Sequence, residues 1–437
     1  MYSQSLQAEF KEKGIGIGDR IRVASIGSMF EGLLMPRPSS GDPSIVVIKL
    51  DSGYNTGLKP ESIELIAKAA LRQSPVPEGE KHAKGGIAIL GCGGTIASKI
   101  EYKTGAVYPS ITPRELRMAF PALERWKIHS NQLFSLFSED MNATHWRTLA
   151  DSIENEIEDG SHGVVVMHGT DTMTYTSSAI SFMLQNLPVP VIFVGSQRSS
   201  DRPSSENEMN MLNAVFSANQ DIGEVAVCMH ATPNDDYCHL HRGNRVRKMH
   251  TSRRDAFHSI NSLPLAEVDY RSDRFIPISP HMPRKKGGMI AKKKLNDNVA
   301  MVYIHPGIRP EMLSRLDGYD GIVLIGTGLG HAPANSFEDK SVTGVIKPIK
   351  GLIDSGIPVV MSSQCLSGRL CMRVYSTGRM LMEAGVIGDG ADWTPETAFT
   401  KLCWALGQTK NHKEVSKIMM SDIAGELTER SALEEFR

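Results

Sequence analysis

From residue 86 onward the chain carries seven apolar runs of strand length: GIAILG, GVVVMHG, VPVIFVG, EVAVCMH, AMVYIHPG, GIVLIGTG and IPVVMSS. Each is nearly continuous rather than alternating, the pattern of strands covered on both faces of a parallel sheet. Helix-length segments, at 171–186, 205–219 and 341–355, lie between them. Strands alternating with helices predict a doubly wound α/β architecture. A chain of 437 residues exceeds one ordinary domain, so two or three are expected.

The stretch before residue 86 has another texture. DRIRVASI, FEGLLMPR, SIVVIKL and ESIELIA are short runs separated by Gly, Pro and Asp, with DSGYNTG as a turn-rich link. This predicts a small β-barrel over residues 1–72. Residues 73–85 fall in a polar, Pro- and Lys-containing stretch and read as a linker. A larger α/β domain is expected over 86–275 and a smaller one over 298–437, separated by the basic, Gly-punctuated segment 276–297. In TPETAFTKLCWALGQ, Thr394 is the expected N-cap with Pro395 at the first helical position, although Thr397 replaces the Glu or Gln of a full capping box.

Net charge is −1 and apolar residues make up 41%, so the molecule as a whole offers no electrostatic attraction to nucleic acid or membrane. No run approaches the ~18 apolar residues of a membrane span, and the first residues lack a secretory pattern. Six scattered cysteines without a CxxC pair fit a reducing, cytoplasmic setting.

Four of the runs end in small or polar residues: GCGGT (91–95), HGTDT (168–172), GSQRS (195–199) and GTGLGH (326–331). In open α/β sheets, ligands bind beyond the carboxyl ends of strands, although such glycines also serve ordinary turns. HGTDT places hydroxyl, carboxylate and hydroxyl side by side at Thr170, Asp171 and Thr172. A threonine needs a base to become a nucleophile, and Lys248 in RVRKMH is the plausible one. If 244–250 is a strand, Lys248 shares a face with Val246 and points away from Arg245 and Arg247. Read without that context, RVRK is a solvated charge run. The neighbouring Arg242, Arg245, Arg247, Arg253 and Arg254 read as structural ion pairing in preference to an RNA-contacting patch. GCGGTI does not complete a dinucleotide fingerprint, and His230, Cys238, His239 and His241 lack a recognised zinc spacing.

GGTIAS (93–98), HGTDTM (168–173), GSQRSSDRPSSE (195–206), RVRKMHTSRRDAF (245–257) and SSQCLSGR (362–369), taken together and in order, resemble the signature blocks of the asparaginase/glutaminase family. The resemblance spans roughly residues 86–410 and implies side-chain amide hydrolysis through a threonine acyl-enzyme. It implies Thr95 as the nucleophile ahead of Thr170, with Thr170, Asp171 and Lys248 as a second catalytic group. Asp171 would also hold a substrate ammonium, Ser138 would take its carboxylate, and Glu139, Gly94 and Gly169 would line the substrate. A tyrosine should partner Thr95; Tyr102 and Tyr108 both lie in the following loop, with Tyr108 nearer the expected loop length.

The N-terminal block GDRIRV, EGLLMPR, IVVIKLDSGYNTGL, together with DYCHLHRGNRVRKMHTSRRDAFHSINSLPLAEV, is similar to the D-subunit family of archaeal-type Glu-tRNA(Gln) amidotransferases. That resemblance implies release of ammonia from glutamine or asparagine for a partner, the E-subunit, which uses ATP and Mg to amidate glutamate on tRNA(Gln). No cofactor is expected on this chain itself, and a homodimer within a heterotetramer is expected. The alternatives are a free-standing L-asparaginase and a non-catalytic assembly component.

Overall fold

The computed structural model describes residues 2–35, 37, 41–51, 55–68, 85–93, 98–100, 107–109, 120–198, 205–285, 287–335, 339, 341 and 343–431. At the N-terminus lie helix α1 (Gln4–Glu12) and strands β1 (Arg20–Ser25), β2 (Ser28–Leu34), β3 (Val46–Lys49), β4 (Asn55–Leu58) and β5 (Ser62–Ala67). The strands pair antiparallel in the order β4-β3-β2-β1-β5. Alternation along β1 turns Ile21 and Val23 inward, where they pack with Ile48, Ile63, Leu6 and Phe10. The small β domain expected from sequence is present as a five-stranded sheet. Its outer strands β4 and β5 are not hydrogen-bonded to one another among the described residues, so pairing does not close it into a barrel.

Two of its elements are not among those read from the sequence. Helix α1 buries Leu6 and Phe10, four residues apart on one face, and Ser3 caps it by accepting from the Leu6 backbone N–H at 3.3 Å. Strand β4 lies in the segment read as a turn-rich link. It pairs with β3 in register from Asn55↔Lys49 to Leu58↔Val46.

The central region is built on β6 (Ile87–Gly93), the hairpin β7 (Ser98–Ile100) and β8 (Val107–Pro109), β9 (Ile128–Leu136), α2 (Ala143–Glu158), β10 (Gly163–Met167), α3 (Met173–Met183), β11 (Leu184–Gln185), β12 (Val191–Val194), α4 (Asn207–Ser217) and β13 (Val225–His230). There follow β14 (Cys238–Arg242), the hairpin β15 (Val246–Lys248) and β16 (Phe257–Ser259), β17 (Ala266–Asp269) and β18 (Arg274–Pro277). Eight strands form one sheet in the order β18-β17-β14-β13-β12-β10-β6-β9, parallel from β13 to β9. Both faces carry apolar cores, which is why its central strands read as unbroken apolar runs. Chain order reverses around β6: β9 lies on one side of it, while β10, β12 and β13 follow on the other. The crevice at such a reversal, beyond the carboxyl ends of β6 and β10, is where this class of sheet holds ligands.

The C-terminal region comprises β19 (Ile290–Ala291), which pairs with β11, then β20 (Val299–Tyr303), α5 (Pro310–Ser314), β21 (Gly321–Gly326), α6 (Ile346–Asp354), β22 (Val359–Ser363), α7 (Ser376–Ala384), α8 (Pro395–Gln408) and α9 (His412–Met419). Strands β20, β21 and β22 make a separate parallel sheet. GTGLGH therefore leaves a different sheet from GCGGT, HGTDT and GSQRS. Only those last three share one carboxyl edge. The basic stretch 276–297 is tied down along its length: Arg284 donates to the carbonyls of Gln220, Ala218 and His162, and Lys293 pairs with Asp151 and Glu154.

Helix α8 joins the two α/β regions and is buried nearly all round. Thr394 caps it through the Thr397 N–H at 3.2 Å, as the sequence predicts. Thr397, the residue that leaves the capping box incomplete, uses its hydroxyl on the Asn244 carbonyl at 2.7 Å. One side of α8 gives Ala398, Leu402 and Leu406 to the C-terminal core; the other gives Trp404, stacked on Phe182 of α3 at 6.0 Å between ring centroids. Arg245 and Asp392, each 1% exposed, pair across the same junction at 3.1 Å. Asp392 also accepts from the Thr428 hydroxyl at 2.5 Å. Substituting Arg245 by methionine removes the nearer cation from the buried Asp392 carboxylate and leaves it Arg369 at 3.6 Å. It should destabilise the protein by about 3–5 kcal/mol, seen as a lowered denaturant midpoint.

Candidate active site

Strands β10 and β15 bring together the residues that carry chemistry. The loop 168–172 connects the buried β10 to α3, so Thr170 and Asp171 sit just before a helix N-terminus, where an anion is favoured. The hairpin β15–β16 supplies Lys248, paired in register with Phe257. As expected, Val246 is buried, but the hairpin does not turn its arginines to solvent: Arg245 is buried and Arg247 pairs with Glu396 at 2.9 Å.

The Lys248 ammonium donates to Thr170 Oγ1 at 2.9 Å and to Asp171 Oδ1 at 2.7 Å. The Lys248 side chain is 13% exposed and that of Asp171 is 69% exposed, so the pair joins a sheltered cation to an anion open to the cleft. Thr170 is buried beside Gly195, where a Cβ would stand 2.9 Å from Thr170 Cγ2.

Ser138 lies on the same rim, in the 3-10 turn Ser138–Asp140 after β9. A Cβ on Gly169 would come within 2.7 Å of Ser138 Cβ, so glycine is what lets the two segments meet. Thr172 fastens the contact by donating its hydroxyl to the Ser138 carbonyl at 2.5 Å. Glu139 is exposed beside it. Thus Ser138, Gly169, Thr170, Asp171 and Lys248 are gathered at one edge.

Gly94, Thr95 and Tyr102 lie outside the described residues. Tyr108 is in β8, opposite Lys99 of β7, and its side chain is outside them too. What precedes Thr95 is defined: β6 ends at Gly93, with φ of +93° and Leu136 O 2.3 Å from where a Cβ would stand. Strands β6 and β10 pair side by side, so the carboxyl end of β6 at Gly93 lies beside the loop that carries Thr170.

Beside Asp171 and Lys248 opens a cleft of about 360 Å³ whose wall includes Thr174, Tyr175, Arg247 and Glu396. Glu396 arrives from the first turn of α8 and was not among the residues singled out from the sequence. Burial, with Glu396 nearby, pushes the Tyr175 hydroxyl up to about 12, so it stays protonated. His168 is also buried. Burial holds its imidazole down at about 4 against an opposing bond to the Gly169 carbonyl at 2.7 Å, so the neutral ring donates through Nδ1 and steadies the loop.

The residues weighed as a metal set do other work. His230 bonds Asn210 and Asp235, Cys238 accepts from Asn213, and His241 bonds Ser259. Among the described residues, no group of three or more His, Cys, Asp or Glu side chains could hold a metal ion. No helix there is long and apolar enough to cross a membrane.

Family models match in three blocks: "Asparaginase, N-terminal" over residues 86–276, "Glutaminase/Asparaginase C-terminal domain" over 298–419 and "GatD N-terminal domain" over 15–67. The D-subunit of the glutamyl-tRNA(Gln) amidotransferase of Methanobrevibacter smithii is 43% identical, covering 100% of this chain and 99% of its own. The protein of the same name from Pyrococcus furiosus is 45% identical, covering 96% of each. Among solved structures, the thermostable L-asparaginase from Thermococcus kodakarensis superposes with a TM-score of 0.70 at 32% identity, covering 79% of this chain and 99% of that one. L-asparaginase I from Vibrio cholerae gives a TM-score of 0.68 at 31% identity, covering 79% and 100%.

Two outcomes follow from this geometry. Lys248→Met keeps the length of the side chain but neither donates nor exchanges a proton. It should lower amidase kcat by about 10²–10⁴-fold with the fold intact by circular dichroism. For His168, the folded state disfavours the proton, so its contribution to stability is full above the ordinary value of 6.5 and lost as pH falls toward about 4. Unfolding midpoints between pH 7 and 4 should fall more steeply for the native protein than for His168→Gln.

Proposed function

Because this chain belongs to the asparaginase/glutaminase family, in the branch of the glutamyl-tRNA(Gln) amidotransferase D-subunits, we propose that it releases ammonia from a free amino-acid amide for a tRNA-dependent amidotransferase. The observation that carries the reading is the Lys248 ammonium held between Thr170 Oγ1 at 2.9 Å and Asp171 Oδ1 at 2.7 Å on the carboxyl edge of the sheet. The catalytic set is Thr95, Thr170, Asp171 and Lys248, with Tyr108 as the partner of Thr95.

In this mechanism Thr95 Oγ attacks the side-chain amide carbon and loses its proton. The tetrahedral adduct collapses, nitrogen leaves as ammonia with a proton gained, and an acyl-threonine ester remains. Water then attacks the ester, giving the free acid and restoring the hydroxyl. Thr170 accepts a hydrogen bond from Lys248, which leaves its own hydroxyl hydrogen to be donated elsewhere. Proton exchange along Asp171, Lys248 and Thr170 serves both half-reactions. The exposed Asp171 carboxylate takes the substrate ammonium, and Ser138 with adjacent backbone N–H groups takes its carboxylate. Gly94, Gly169 and Glu139 complete the lining.

The N-terminal domain distinguishes this role from that of a free-standing L-asparaginase. The solved asparaginases cover 79% of the chain, whereas the D-subunit relatives cover 96–100%. In the proposed complex, the E-subunit binds ATP and Mg and contacts tRNA(Gln), this chain binds neither, and the assembly is a cytoplasmic heterotetramer built on a homodimer. Ammonia release from glutamine and asparagine should be slow for the purified chain. It should rise several-fold with the partner and Glu-tRNA(Gln), consistent with a gated site. Thr95→Ala in the full complex should abolish it, and a Thr95→Ala complex indistinguishable from wild type would sink the reading.

A further inference from the structure

His230 ends β13, behind the site, and is fully buried. Both of its ring nitrogens face acceptors. Nδ1 lies 2.6 Å from Asn210 Oδ1, and Nε2 lies 3.1 Å from Asp235 Oδ1. The Asn210 amide can present only its oxygen to the ring, because its Nδ2 donates to the Gly195 carbonyl at 3.0 Å. A neutral imidazole has one donor and one acceptor, so it would leave a lone pair aimed at an oxygen on one side. Only the doubly protonated ring satisfies both partners.

Each partner leads to a different wall of the active site. Through Asn210, His230 holds Gly195, the residue that packs against Thr170 and the His168 carbonyl. Through Asp235 it reaches Arg254, whose guanidinium pairs with Asp235 and donates to the Pro233 carbonyl at 2.9 Å. Arg254 lies in the loop between β15 and β16, six residues after Lys248. The Thr170 and Lys248 segments are thus joined behind the cleft by one charged chain.

We propose that His230 is a positioning residue for the amide-hydrolysis site: as a buried imidazolium it ties the Gly195 turn behind Thr170 to the Arg254 loop behind Lys248, and losing its proton unties them. Four titratable or charged groups face it: Asp235 from the loop after β13, Arg254 from the β15–β16 loop, Glu206 from the start of α4 and Cys238 from β14. Burial opposes the charge, but the Asp235 carboxylate works the other way, and the imidazole is raised to about 9. Arg254 works against that rise. Burial likewise raises Asp235, yet His230 and Arg254, with Lys49 of the N-terminal sheet adding to them, hold its carboxyl below the ordinary range. Burial pushes both Glu206 and the Cys238 thiol up, so Cys238 adds no anion at neutral pH. Because the folded value lies above the ordinary 6.5, the contribution of His230 is full below that pH and is lost as pH rises through about 9.

The inference rests on the hydrolase reading, so its test has an arm that does not depend on turnover. In the full complex, glutaminase kcat and KM are measured from pH 6.5 to 10 for wild type, His230→Gln and Asp235→Asn, alongside unfolding midpoints over the same range. Wild type should lose kcat and stability together near pH 9. His230→Gln should lower kcat about tenfold at pH 7.5, change KM less than threefold and lack the alkaline limb. Asp235→Asn keeps an acceptor but removes its charge, and should move the limb to lower pH. Should His230→Gln fail to fold, the direction of the Asp235→Asn shift decides. An alkaline limb unmoved by either variant, in turnover and stability alike, overturns the proposal. A wild type silent toward both amides refutes the hydrolase reading instead and leaves the stability limb to decide this one.

Discussion

The pairing of Arg245 with Asp392 is the interaction on which the catalytic geometry depends. Both side chains are withdrawn from water, and a charge so placed is tolerated only if its remaining hydrogen-bonding positions are filled. Here they are. Arg245 also donates to the Gly425 carbonyl at 2.9 Å, and Asp392 accepts from Thr428. The strand bearing Lys248 begins one residue after Arg245, so the pair fixes where that strand starts relative to both α/β regions. A second buried charge, Lys401, extends the brace by donating to the carbonyls of Met419 and Ser421 and pairing with Glu426 at 2.5 Å. The C-terminal segment after α9 is thereby held against α8 and against the turn between β14 and β15, where Asn244 and Arg245 donate to the Ala424 and Gly425 carbonyls.

A rigid frame around a partly open site has a chemical consequence. Lys248 is sheltered and Asp171 is not, so the cation keeps its two hydrogen bonds while the anion remains open to the cleft. The reverse arrangement would strand a buried carboxylate and expose the proton-handling lysine to solvent. The helix that follows Asp171 favours its charge, and the neutral His168 holds the loop without adding a second cation. Among the described residues, the arrangement places one positive charge, Lys248, between Thr170 and Asp171.

How much of this was legible in the sequence depended on whether the relevant physics was local. The central strands of the large sheet were legible because burial on both faces leaves an unbroken apolar run, as in Val164–Val166. Strand β9 lies at the sheet edge, and its sequence IHSNQLFSL mixes exposed and half-buried positions, so no such run marks it. Helix α1 was missed although Ser3, Leu6 and Phe10 gave the cap and spacing of a short helix. Thr170, Asp171 and Lys248 stood out because hydroxyl, acid and lysine are chemically unusual at strand ends; their meeting across 77 and 78 residues of chain was suggested by a threonine's need for a base and reinforced by resemblance. Glu396 and His230 gave no such signal. For Glu396 the partner that matters is Arg247 from a distant segment; for His230 it is Asn210 of α4 together with Asp235, five residues further along the chain.

The arginine-rich stretch shows the same dependence on partners from the other direction. Five arginines between residues 242 and 254 suggest a cationic surface when read as a string, and such a surface is the usual footprint of nucleic-acid binding. In the fold each meets a carboxylate: Arg242 with Glu224, Arg245 with Asp392, Arg247 with Glu396, Arg253 with Asp255 and Arg254 with Asp235. Two of these acids, Asp392 and Glu396, come from segments remote in sequence, so their share of the neutralisation is invisible until the chain is folded. The ion pairing expected of these arginines is what the fold shows, and it fixes the hairpin that delivers Lys248. A division of labour in which this chain supplies ammonia and another recognises the tRNA is therefore consistent with its own electrostatics as well as with its family.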